Sequence, residues 1–410
     1  MKQRLVLIGN GMAGARALEQ SLQRGGRDQF QISVFGQEPY GTYDRMQLPE
    51  VIAGVRSAND ILLNSEDWYR SHGIRLHAGE RALIISREAK RVYGSKGSME
   101  HYDRLIFATG SDPYVPPIPG LIGPTRALRD GISAFRTLDD CSRIVLRAAG
   151  KARVAVLGGG LLALEAVRGL LARGCDIHLI HRGKRLLADQ LDDEGARELQ
   201  ALLEKQGVRV SLSQSVKRVY GADAVEGVEL TDGSSVACEL IVLAMGLQPN
   251  SWIAAQCGLT VSRAIVVDDH MRSIDDDSIY ALGECAEHRG DVSTLLEPID
   301  EQARVLASHL TGSDPKAAFH GAKRATHLRL MGAEVASFGL LEPESPTDRV
   351  IRIPAPTGRY KKLIVRGNRL LGAMVVGCAE DVAFYRRLFQ SASADVSTAT
   401  ADLQSVINAA

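Results

Sequence analysis

The sequence predicts an α/β chain with two parallel βαβ units and a small α+β region near its C-terminal end. Three observations carry this prediction. An apolar run at residues 4–8 leads into a glycine-rich turn, a helical stretch and a second apolar run. The same order recurs from residue 152. Residues 320–390 differ, with short apolar runs separated by glycines.

In the first unit, the strand at 4–8 meets Gly9-Asn10-Gly11-Met12-Ala13-Gly14, a helix is expected over 15–24, and a strand over 31–35. In the second, the strand at 152–157 meets Gly158-Gly159-Gly160-Leu161-Leu162-Ala163. A helix through residue 172 and a strand at 176–180 follow. A further strand at 240–245 reaches Gly246. Beyond it, 328–331, 362–366 and 373–376 read as short antiparallel strands. From residue 391 the sequence is rich in Ser, Ala and Thr, and a poorly ordered tail is expected there.

A length of 410 residues predicts two to four domains. Hydrophobic residues make up 45% and charged residues 24%, the balance of a soluble globular protein. Lys plus Arg equals Asp plus Glu at 49 each. That equality argues against a globally basic nucleic-acid binder, so no nucleic-acid partner is expected. No apolar stretch approaches the length of a membrane span, and none is expected. Cys141, Cys175, Cys238, Cys257, Cys285 and Cys378 form no C-x-x-C pair. No metal site is therefore expected, and scattered single thiols suit a reduced, cytoplasmic setting.

In a G-x-G-x-x-G turn the first glycine allows the tight bend and the second lets backbone approach a pyrophosphate. The third lets helix and strand pack closely. Gly9, Gly11 and Gly14 fit these roles, and Met12 and Ala13, inside the turn, are further candidate cofactor contacts ahead of the helix whose N–H groups face the anion. Gly158 and Gly160 repeat the pattern before Leu161 and Leu162, with Ala163 in the third position. One such turn alone also occurs for packing; two in the same strand–turn–helix setting point to two Rossmann-like dinucleotide sites. After the first unit, Glu38 is the candidate acceptor for ribose hydroxyls. After the second, the strand ends at His181, with Arg182, Lys184 and Arg185 behind it and no acid. That arrangement permits a 2′-phosphate, hence NADPH as well as NADH. A solvated basic turn without cofactor contact is the alternative.

Further blocks stand in a telling order. They are Gly36-Gln-Glu-Pro-Tyr40 with Tyr43-Asp44-Arg45, then Ala108-Thr109-Gly110, then Leu282-Gly283-Glu284, then Glu297-Pro298 before a helix expected over 300–310. With the two turns, they make the chain resemble the pyridine nucleotide-disulfide reductase superfamily, in its branch without the redox disulfide. The resemblance is to the FAD-dependent module of assimilatory nitrite reductases and to rubredoxin and ferredoxin reductases. It implies an FAD domain at 1–117 and 247–318, an NAD(P) domain at 118–246, and a C-terminal interface domain at 319–390. It also implies that Glu38, Arg45, Thr109, Gly110, Gly283, Glu284 and Pro298 lie by FAD, with Glu284 replacing the commoner Asp. His181, Arg182 and Gly246 would lie by NAD(P), and Glu165 would position the nicotinamide.

The function so implied is NAD(P)H:acceptor oxidoreduction. Disulfide reductases carry a redox cysteine in the segment that here runs from 41 to 52, and this segment has none. Electrons are therefore expected to pass from FAD to a separate partner: an iron–sulfur or rubredoxin-type protein, or a nitrate or nitrite reductase protein. The cysteine pairs of full nitrite reductases are not among these 410 residues, so the catalytic part is expected on a separate protein, or the chain serves another acceptor. A homodimer is compatible with this architecture. A redox sensor that uses the two nucleotides only as ligands is the alternative of another class. Residues 320–390 carry twelve Lys and Arg against six Asp and Glu, and a patch that steers an acidic carrier is one expectation.

Overall fold

The computed structural model describes residues 1–293, 296–321, 325–330, 333–353 and 358–390. The expected tail lies outside them. Met1–Gln47, Ser57–Asp112 and Leu247–Ala322 pack as one unit; Leu48–Arg56, Pro113–Gly246 and Lys323–Ala410 form a second.

In the first unit, Gln3–Ile8 lies within an eight-stranded sheet, parallel to Phe30–Gly36 on one side and Arg104–Phe107 on the other. The unbroken apolar run Leu5, Val6, Leu7 is wholly buried, as expected of a parallel strand covered on both faces. The Met12–Gln23 helix packs against the Leu296–Thr311 helix. Both helices start earlier than expected. Gly14 belongs to the first turn of one, where a Cβ would stand 2.3 Å from the Gly9 carbonyl oxygen. Pro298 sits in the first turn of the other, where its missing N–H costs no helical bond. A three-stranded antiparallel meander, Ala82–Ser86, Arg91–Gly94 and Met99–His101, also belongs to this unit.

The second unit holds a five-stranded parallel sheet in the order Ile132–Ala134, Leu240–Leu243, Arg153–Leu157, Asp176–Ile180, Arg209–Ser211. It also holds a five-stranded antiparallel sheet in the order Ala325–Leu330, Ala333–Gly339, Arg369–Val376, Tyr360–Arg366, Asp348–Ile353. The three short strands expected here are longer, two were not anticipated, and the Ala379–Gln390 helix packs Val382, Tyr385 and Leu388 into the sheet's core. No described helix is long and apolar enough to cross a membrane.

The basic surplus of this segment is not a bare patch. Arg329 pairs with Glu334, Arg352 with Glu194, Arg359 with Glu380, Lys361 with Asp381, and Arg366 with Asp348. Lys362 is 1% exposed. Its three protons go to Asp192 Oδ2 at 2.9 Å, the Leu341 carbonyl at 2.9 Å and Glu342 Oε1 at 3.1 Å. Lys323 and Arg324 lie outside the described residues. Intramolecular carboxylates thus take up six of the twelve cations of the expected steering patch, and the expectation is narrowed by that much.

Asp192 is the centre of this contact. It caps the Asp193–Lys205 helix by accepting from Gly195 N at 2.9 Å, and it accepts the Tyr360 hydroxyl at 2.6 Å. Against the cost of burial, the bonds from Tyr360, Gly195 and Lys362 hold its carboxyl below the usual range. Lys362→Ala would leave this carboxylate, whose side chain is 11% exposed, without its cation, so a loss of about 3 kcal/mol, the low end for a buried pair, is expected in denaturant unfolding. Arg359→Ala, at the exposed pair with Glu380, should shift the midpoint little.

Candidate dinucleotide-binding site

At the first turn Gly9 has φ +112°, and a Cβ there would lie 2.1 Å from the Ala108 carbonyl oxygen. Only glycine lets this turn close onto the end of the neighbouring strand. Gly11, the N-cap of the Met12–Gln23 helix, has open space where its Cβ would be, and no side chain caps the helix. The N–H groups of the first helical turn, including Met12 and Ala13, therefore face an open cradle.

Other predicted residues gather in the same unit. Glu38 accepts from Arg45 at 2.9 Å through Oε1 and from the Tyr43 hydroxyl at 2.7 Å through Oε2. Each oxygen keeps a further lone pair. Thr109 donates to the Asn250 carbonyl at 2.6 Å, and Asn250 N donates to the Gly110 carbonyl at 2.9 Å. Ser111 donates to Glu284 at 2.6 Å. Gly283, at φ +76°, would bring a Cβ within 2.8 Å of the Ala13 Cβ, and its N–H donates to Gln302 at 2.8 Å. The 283–284 turn thus lies against the start of the first helix, and Pro298 is buried one turn before Gln302.

The second turn repeats the design within the other unit. Gly158, at φ +138°, would place a Cβ 2.1 Å from the Ala244 carbonyl oxygen, while Gly160 faces open space as another uncapped N-cap. Leu161 and Leu162 open its helix and are only partly buried. A Cβ on Gly159 would stand 2.4 Å from the His181 ring, which lies across the turn. Burial, then Arg182, lowers the pKa of His181 and so favours the neutral ring. Arg182 and Lys184 are exposed, whereas Arg185 pairs with Asp193. Gly246, at φ +121°, has open space around its Cβ position.

The pyridine nucleotide-disulphide oxidoreductase family matches residues 3–304, and the rubredoxin NAD+ reductase C-terminal domain matches residues 325–392. The chain belongs to the pyridine nucleotide-disulphide oxidoreductase family. Its members are FAD-dependent NAD(P)H oxidoreductases. A Bacillus subtilis nitrite reductase [NAD(P)H] is 41% identical over 92% of this chain and 46% of its own length. The assimilatory nitrate reductase electron transfer subunit of the same organism is 39% identical over 93% of this chain and 48% of its own length. The chain therefore spans about half the length of these relatives. A crystal structure of the covalent putidaredoxin reductase–putidaredoxin complex matches the fold with a TM-score of 0.85 at 23% identity, over 100% of this chain and 99% of that one. The α/β fold expected from the sequence is thus the fold of this family.

The two cradles fit the family's nucleotides. Each combines glycines closed off by backbone with one glycine left open in front of an uncapped helix N-terminus. That is the shape and polarity a pyrophosphate needs.

Glu165, on the Leu161–Ala172 helix, is 8% exposed. Nearby, Arg168 pairs with Glu50 at 3.0 Å, and Gly169 accommodates the Leu48–Ala53 helix, where a Cβ would meet the Pro49 carbonyl oxygen at 2.8 Å. Burial pushes the Glu165 carboxyl up to about 7; Arg168 and Arg136 oppose the shift and Glu50 adds to it. The folded chain therefore holds this proton more tightly than the unfolded one, and the stability it contributes is lost as pH rises from about 4.5 towards 7. Glu165→Gln cannot ionise. Unfolding measured at pH 5 and pH 8 should show the variant gaining on the parent at the higher pH, by up to about 3 kcal/mol. An equal gap at both pH values would contradict the assignment.

Sequence reasoning missed the role of Asn10. Its side chain is tied to Thr42 and Tyr69, and no local signal links residues so far apart in sequence.

Proposed function

We propose that the chain is an NAD(P)H:acceptor oxidoreductase that passes electrons to a separate redox partner, in the setting of a nitrate or nitrite reductase system. The observation that carries this reading is the pair of open, glycine-built anion cradles on one chain. Two nucleotides held by one polypeptide suit a relay. The similarity to an electron transfer subunit and a nitrite reductase favours this setting. The match to the rubredoxin NAD+ reductase C-terminal domain favours a second reading, a rubredoxin or ferredoxin reductase for another oxidoreductase. Bound FAD supplies the step between a hydride pair and single electrons.

In this reading the first cradle holds FAD. Gly9, Gly11, Gly14, Met12 and Ala13 meet the pyrophosphate, and Glu38 and Arg45 the adenosine end. Thr109, Gly110, Gly283, Glu284 and Pro298 lie along the rest. The second cradle holds NADH or NADPH through Gly158, Gly160, Leu161, Leu162, His181, Arg182 and Gly246. Glu165 positions the nicotinamide. The neutral His181 ring packs without bringing charge to the turn, and Arg182 and Lys184 supply positive charge for a 2′-phosphate.

The test is anaerobic mixing of the purified protein with NAD(P)H. Rapid bleaching of the flavin band and turnover with ferricyanide are expected. Nucleotide binding without bleaching would establish the sensor instead. Adding a rubredoxin, a ferredoxin or a nitrite reductase partner then separates the two enzyme readings by rate.

Nucleotide choice has its own test. Arg182→Ala combined with Lys184→Ala should raise KM for NADPH about tenfold or more and leave KM for NADH within about twofold. Equal changes for both would assign these cations to a solvated turn.

A further inference from the structure

Asn10 lies between the first two glycines of the first turn, and three residues from distant segments hold its side chain. Tyr69 Oη is 2.5 Å from Asn10 Oδ1, and Thr42 Oγ1 is 3.1 Å from the same oxygen and 2.7 Å from Tyr69 Oη. Asn10 Nδ2 donates to the Tyr40 carbonyl at 3.3 Å. Thr42 and Tyr69 are 0% and 1% exposed, so their hydroxyls have no access to water as a substitute partner.

The protons of this cluster can be assigned. Two hydroxyls bring two protons to three short contacts. The Tyr69 hydroxyl donates to Asn10 Oδ1, the shortest contact, and Thr42 donates to Tyr69 Oη. Burial raises the Tyr69 phenol's pKa although Thr42, Asn64 and Asn10 pull it down, so the donor proton stays on. The orientation of the Asn10 amide follows, with its oxygen towards the hydroxyls and its nitrogen towards Tyr40.

Only an amide answers both sides. An aspartate would accept the hydroxyls but have no proton for the Tyr40 carbonyl, and it would set a negative charge beside the N–H groups of an anion cradle. Gly36 belongs to the same device, since a Cβ there would stand 2.9 Å from the Asn10 Cβ. Through Tyr40 and Thr42, the cluster ties the glycine turn to the segment that carries Tyr43 and Arg45.

We propose that Asn10 is a positioning residue for FAD, held by the Tyr69 and Thr42 hydroxyls so that the first glycine turn is fixed in its anion-accepting shape before the nucleotide arrives. This rests on the reading of the first cradle as the FAD site.

The experiment follows FAD release from diluted holoprotein by the rise of free-flavin fluorescence. Tyr69→Phe and Thr42→Val each remove one hydroxyl and should speed release about tenfold, while Thr42→Ser, which keeps it, should stay near the parent. Asn10→Asp, equal in size, should release FAD faster still. The affinity for NADP+ at the second turn should not move with these rates. Parent-like release from both hydroxyl deletions overturns the proposal. So does a Thr42→Ser variant as leaky as Thr42→Val, or an NADP+ affinity that falls in step with release. A parent protein that takes up no FAD at any concentration overturns both the proposal and the reading beneath it.

Discussion

The closeness of two carbonyl groups governs this molecule. The Ala108 oxygen lies where a Cβ on Gly9 would be, and the Ala244 oxygen lies where a Cβ on Gly158 would be. In each sheet the strand that leads into the helix and its parallel neighbour therefore end together, with the turn pressed across both ends. That contact sets where the helix begins, and with it the direction of its free N–H groups. The strand-end crevice of an open α/β sheet becomes an anion site through this geometry. A single methyl group at either position would push the turn away from the sheet and misaim every donor behind it.

Around these backbone turns, wholly or partly buried polar contacts fix the packing. The second unit uses Lys362 and Asp192 to bind the antiparallel sheet to the Asp193–Lys205 helix. It also uses the Arg168–Glu50 pair where the Leu48–Ala53 helix crosses the Leu161–Ala172 helix. The first unit uses neutral groups for the same purpose, Asn10, Thr42 and Tyr69. The difference has an electrostatic logic. A carboxylate at position 10, between the first two glycines, would oppose a pyrophosphate, whereas Asp192 already has a lysine, a tyrosine hydroxyl and a helix N-terminus to answer it.

What was legible in the sequence follows from how local each feature is. The glycine turns and their strands were readable because the backbone demand lies within six residues. Glu38 and Arg45 were readable as parts of an ordered set of blocks, though not their mutual bond. The Ala379–Gln390 helix was missed although Val382, Tyr385, Leu388 and Phe389 recur at helical spacing, a signal that was available. The strand Ala333–Gly339 offered less, since small residues and a Glu blur the period of a strand buried between two partners. The basic surplus overstated the patch because composition counts charges and not their partners; Glu194 and Asp192, which answer Arg352 and Lys362, lie far away along the chain.

The thiols bear on how electrons would leave. Burial raises the pKa of Cys175, Cys257, Cys285 and Cys378, and pushes Cys238 up to about 11, so each stays a protonated, weak nucleophile near neutral pH. Cys285 is the telling case because it adjoins Gly283 and Glu284. Its sulfur lies 3.3 Å from the Leu282 carbonyl oxygen and 3.6 Å from that of Phe107, a thiol engaged with backbone in the core. A relay through a protein disulfide needs an accessible thiolate and a second sulfur within reach. None of these five has the first, and the 41–52 segment holds no cysteine to act as the second. The direct passage proposed above calls on none of these five thiols.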